Sequence, residues 1–70
     1  MMDTPRRIYQ KHLDAMLMLH EWGILVSFRN LDYRGLDFKQ ADLSEINFGK
    51  SLINRSQLEG CKLDKAMLEL

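Results

Sequence analysis

The chain is poor in the features that give small proteins a simple chemistry. It has one cysteine in 70 residues, so no intramolecular disulfide can form, and Cys61 sits at a small position where plain packing explains it. It has two histidines, and His12 and His20, eight residues apart on one helix, would lie about 12 Å apart along the axis, too far to share a metal. Its four glycines, Gly23, Gly35, Gly49 and Gly60, stand singly, which excludes a glycine-rich phosphate loop. No histidine is placed to activate Ser27, Ser44, Ser51 or Ser56. An enzyme is therefore not expected, and neither a metal nor a cofactor is. Ten basic and ten acidic residues give a formal net charge of zero, which argues against direct nucleic-acid binding. The longest unbroken apolar run, "AMLML", is much too short to span a bilayer, and "MMDTPRR" does not read as a signal peptide. The expected location is cytoplasmic, away from membranes.

What is present is a repeat. From "YRGLDFKQADLSEINF" onwards, Tyr33, Phe38, Leu43, Phe48, Ile53, Leu58, Leu63 and Leu68 recur at every fifth position. Neither regular structure explains this spacing. Five residues advance a helix by 500°, moving the marked side chain 140° round the axis, and in a strand an odd spacing alternates faces. The chain must turn a corner once per unit. Two positions earlier stand Leu31, Leu36, Ala41, Ile46, Ser51, Ser56, Cys61 and Ala66, all small or aliphatic, whereas the residue after each centre is never apolar. The first two sets look inward and the third faces water.

These residues resemble the pentapeptide-repeat family. "ADLSE" at Ala41–Glu45 follows its consensus, and "LDFKQ" and "INFGK" are close variants. The resemblance covers residues 31–70 and implies a mainly β fold, a short right-handed quadrilateral β-helix of about two coils, Leu31–Lys50 and Ser51–Leu70. The second coil departs from consensus, with Leu52, Gln57, Lys62 and Met67 where the first has Asp32, Asp37, Asp42 and Asn47.

Residues 1–30 read as an N-terminal helical cap and linker, and 31–70 as the repeat body, together one compact domain. Thr4 can serve as N-cap with Pro5 at the first helical position, and Gly23 as the stop after Trp22. Ile8, His12, Ala15, Met16 and Leu19 share a stripe, broadened by Leu13, Leu17 and His20. "GILVSF" then reads as an extended link.

Function is left to the surface. Asp32, Asp37 and Asp42 recur once per side, and Glu45, Glu59 and Asp64 add further carboxylates. The bland reading is solubility, supported by the interspersed Arg and Lys residues. The family implies a sharper one, in which regular carboxylates imitate DNA phosphates and engage the basic site of a DNA-binding host complex. Two coils would span only about 10 Å, short for a protector of DNA gyrase. The size is instead similar to phage-encoded inhibitors, and the resemblance implies an anti-CRISPR protein that blocks target-DNA binding by a Cas subunit of a type I surveillance complex in a bacterial host cell. The alternatives are a structural or docking module without mimicry, and a gyrase-protecting DNA mimic. Met67, Leu68 and Leu70 would leave an open apolar edge at the end of the repeat, which predicts a homodimer.

Overall fold

The computed structural model describes residues 4–69. Its regular elements are β1 (Arg6–Arg7), α1 (Gln10–Glu21), β2 (Leu31–Asp32) and a 3-10 turn, Arg55–Leu58. The strands pair in parallel with Arg6 opposite Leu31 and Arg7 opposite Asp32. After β2 the chain winds through turns, and isolated parallel bridges join Asp32 to Leu52, Asp42 to Lys62 and Asn47 to Met67. The second pass, from Ser51, thus lies under the first.

The expected mainly β architecture, a β-helix of two coils, is corrected by these elements. Two strands of two residues and single-residue bridges do not make a β-structured body. The reason lies in the corners. Left-handed backbone recurs at Asn30, Gly35, Gln40, Glu45, Lys50, Gly60 and Lys65, with Lys39 as well, so each unit of five spends its residues on turning. Too few extended residues remain between corners for a ladder to propagate. On one side side-chain amides take the ladder's place. Gln10 exchanges two hydrogen bonds of 2.8 Å with the backbone of Asp37, and the Gln57 amide donates to the carbonyls of Tyr33 and Leu36, both at 2.7 Å.

The N-terminus also departs from expectation. Thr4 and Pro5 do not open the helix; the chain pairs first, with Arg6 N–H donating to Asn30 O and Ile8 N–H to Asp32 O, and α1 begins only at Gln10. Tyr9 takes the N-cap position without a side-chain bond. Satisfying the upper backbone edge of β2 outweighs a local capping preference. The later start also fixes which face is buried: Leu13 and Met16 with half-buried Leu17 and His20, at helical spacing, while His12 and Ala15 are exposed. The C-terminus is as read. Gly23 adopts φ +79° and the Gly23 and Ile24 N–H groups donate back to His20 and Leu19 carbonyls, closing a Schellman motif.

One apolar cluster joins the two regions: Ile8, Leu13, Met16 and Phe28 pack with the inward series of the winding. Tyr33, Phe38, Leu43 and Phe48 are all 0% exposed. Phe48 meets Phe28, Tyr33 and Phe38 with ring centroids 5.7, 5.6 and 5.9 Å away, edge to face. The Tyr33 hydroxyl donates to Phe28 O at 2.6 Å, and the Ser51 hydroxyl donates to the same carbonyl at 3.1 Å. Phe48→Ala should cost about 3–5 kcal/mol, most of the stability of a domain this small. Urea denaturation followed by tyrosine and tryptophan fluorescence checks this; a loss below about 1 kcal/mol would contradict the packing.

Candidate functional site

The residues read from sequence as a carboxylate display divide into two groups. Asp32, Asp37, Asp42 and Asn47 each accept a hydrogen bond from the backbone N–H two residues on, at Arg34 (3.0 Å), Lys39 (2.7 Å), Ser44 (3.0 Å) and Gly49 (2.8 Å). These are Asx turns that hold the corners of the first pass. The Asp or Asn in every unit of the first pass, expected from sequence as an outward display, is the signal of these turns.

Asp32 goes further inward. Its residue is 7% exposed, and Arg34 clamps it with Nε to Oδ1 and NH2 to Oδ2, both 3.0 Å. Arg7 adds an ion pair at 3.6 Å and donates to Arg34 O at 2.7 Å. The hydrogen bonds from Arg34, foremost, and the two guanidinium charges hold the Asp32 carboxyl down at about 2, and the same contacts push Arg34 up. Asp32 fastens β1 to the winding and is no part of an outward display.

Asp37, Asp42, Glu45, Glu59 and Asp64 are exposed. Asp42 is bridged to Lys62, and Glu45 N–H donates to Asp64 O at 2.8 Å, so Asp42, Glu45 and Asp64 come together on one wall with Lys62 and Lys65. Hydrogen bonds from Ser44, with the charges of Lys62 and His20, lower Asp42. Glu59 stands at another corner. The wall adjoins an open groove of about 640 Å³ between α1 and the first pass, lined by Asp14, Met18, His20, Glu21, Lys39 and Asp42. Asp14 spends its charge there on Lys39 at 3.1 Å, and it is lowered by Gln10 and then Lys39. His20 stands edge-on to Phe28 at 5.9 Å.

The lower face is the third feature. Exposure rises along the second pass, from Ile53 at 8% and Leu58 at 7% through half-buried Leu63 to Leu68 at 37%, and Leu52 and Met67 are exposed beside it. Tyr33, Leu43 and Phe48 donate downward to the carbonyls of Leu52, Lys62 and Met67, whereas the equivalent N–H groups of Ile53, Leu63 and Leu68 donate to no backbone carbonyl among the described residues. Leu70, expected at the same edge, lies outside the described residues.

Chemistry finds little purchase. Burial, first, pushes the half-buried Cys61 thiol up, away from reactive thiolate. Among the described residues no group of three or more His, Cys, Asp and Glu side chains converges as metal ligands, and no helix is long and apolar enough to cross a membrane. No protein-family model, curated relative or solved structure matches the chain.

The Asp32 clamp yields a pH dependence. Its folded value lies below the ordinary carboxylate value of 3.8, so its contribution is complete above about 4 and is lost as pH falls towards about 2. Thermal melts from pH 5 to pH 2 should fall steadily for the wild type, and Asp32→Asn should start lower at pH 5 and lose less across that window. Parallel melting curves for the two proteins would contradict the clamp.

Proposed function

We propose that this chain is a non-catalytic binding module that works by docking protein surfaces, and that the lower face of its second pass pairs with the same face of a second copy. The observation that carries this is the burial gradient: the inward residues of the first pass are enclosed, those of the second open from Leu63 to Leu68, and Leu52 and Met67 are exposed beside N–H groups that reach no backbone carbonyl among the described residues. Water satisfies such N–H groups but gains nothing from Leu52, Met67 and Leu68, and a self-complementary apolar face with free backbone donors at its rim favours a two-fold pair. The reading takes up the structural or docking module, the alternative to mimicry. Light scattering and sedimentation at micromolar concentration should give twice the chain mass, and Leu52→Glu with Leu68→Glu should give the monomer with its helical circular dichroism kept. A wild-type monomer at these concentrations would overturn it.

A second reading rests on the wall where Asp42, Glu45 and Asp64 meet. Carboxylates stacked across two passes suit the basic groove of a DNA-handling host protein, and in this form the module is a small inhibitor that displaces DNA, from a CRISPR surveillance complex as the resemblance implies or from a gyrase-like enzyme. Asp32 takes no part in it. Asp42→Lys with Glu45→Lys and Asp64→Lys should abolish competition with labelled target duplex for the surveillance complex. Undiminished competition by that variant, or binding of wild type without DNA release, would remove this form of the function while leaving the docking face standing.

A further inference from the structure

Formal neutrality conceals a separation of charge. Arg29 and Arg34 follow Phe28 and Tyr33 at consecutive corners, Arg6 and Arg7 lie on the strand above and Arg55 on the pass below, while Asp37, Asp42, Glu45, Glu59 and Asp64, with Lys39, Lys50, Lys62 and Lys65, occupy the others. Arg34 follows Tyr33. Arg7 reaches over the same corner, donating to Arg34 O at 2.7 Å, and its NH2 would stand 3.9 Å from a Cβ built on Gly35. Arg55 lies below it, since Gln57 bonds the Tyr33 and Leu36 carbonyls that bracket Arg34. Arg29, one corner earlier, lies against Gly49. On the edge made by Arg7, Arg34 and Arg55, the acid in contact with the guanidinium groups among the described residues is Asp32, and it is buried.

Asp32 also prepares the edge. It fixes one end of the Arg34 guanidinium and touches Arg7, yet those side chains remain 57% and 49% exposed, so their other N–H groups face outward in a set geometry. An exposed aromatic residue follows the strand. The Ile8 N–H bond to Asp32 O at 3.4 Å continues the pairing of β1 on β2, and Tyr9, in extended backbone two residues after Arg7, falls on the same face as Arg7. Tyr9 is 68% exposed and contributes nothing to the core. Planar cations in successive layers beside an exposed ring match a ligand that alternates anionic and flat aromatic groups at short intervals.

We infer that this edge is a docking surface for single-stranded nucleic acid, with Arg7, Arg34 and Arg55 taking backbone phosphates and the Tyr9 ring stacking an unpaired base. An acidic protein segment would use the guanidinium groups and leave the ring idle. A duplex would offer its phosphates but no free base face. The edge is separate from the lower face and from the carboxylate wall, so it operates whichever of those is engaged.

The test is fluorescence anisotropy of a short labelled oligothymidine titrated with the full chain. Binding should weaken about 100-fold or more between ~20 mM and ~200 mM salt, the slope expected for about three neutralised phosphates on a single strand. Tyr9→Ala should weaken binding about tenfold at either salt. Arg55→Glu, whose side chain makes no hydrogen bond or ion pair among the described residues, should weaken it about tenfold or more at an unchanged melting temperature, and Lys62→Glu with Lys65→Glu on the far side should leave it as it was. The proposal is overturned if oligothymidine fails to bind at ~20 mM salt, if Arg55→Glu and the Lys62/Lys65 reversal weaken it alike, or if the matched duplex or polyglutamate binds more tightly than the single strand.

Discussion

The ring of Phe48 is the contact on which the remainder of the molecule depends. It sits where the first pass returns to its start, and it meets Phe28 from the link, Tyr33 from the first corner and Phe38 from the second. Those contacts bring together residues that no ladder joins. In a body whose backbone pairing is confined to single bridges, side-chain packing has to supply the closure that sheets supply elsewhere. The Tyr33 and Ser51 hydroxyls then converge on Phe28 O, fastening both passes to the link by one carbonyl. Helix α1 closes the top through Leu13 and Met16, and Gln10 ties it to the Asp37 corner.

Asymmetry between the two ends follows. The upper end has a strand, a helix and an ion-pair clamp spent on it, and its inward residues are fully enclosed. Among the described residues the lower end has no strand, α-helix or ion-pair clamp, and its inward residues become progressively exposed. A module with one finished end and one open end presents a defined face at a fixed angle to its cap. The charges repeat that division around the girth, with arginines on one side and most carboxylates on the other, so orientation is built into every face that a partner could meet.

What the sequence discloses here is direction more readily than backbone form. The recurrence of Tyr33, Phe38, Leu43 and Phe48 reports which side chains point inward, and they do. It carries no information on whether the backbone between them forms strands, and the left-handed corners at Gln40, Glu45 and Lys50 use residues that a strand would need. Those corners fall on ordinary polar residues, which the sequence does not mark as glycine would. Gly23 was legible because a helix end in left-handed backbone selects it. Thr4 and Pro5 misled, because the pairing of Arg6 and Arg7 with a distant segment decides the local structure. Asp32, Asp37 and Asp42 were legible as a periodic set but not as turn-forming groups, and the overall zero charge hid an arginine edge assembled from three separated parts of the chain.

The central claim is that the second pass ends in an open face made for another surface. Amide hydrogen exchange followed residue by residue across a concentration series tests it most directly. The account predicts that Ile53, Leu63 and Leu68 exchange rapidly in dilute solution and slow markedly as concentration rises, while Tyr33, Leu43 and Phe48, already bonded to the pass below, stay protected throughout. Exchange at Ile53, Leu63 and Leu68 that does not change with concentration, or protection of all three in the most dilute sample, would contradict it.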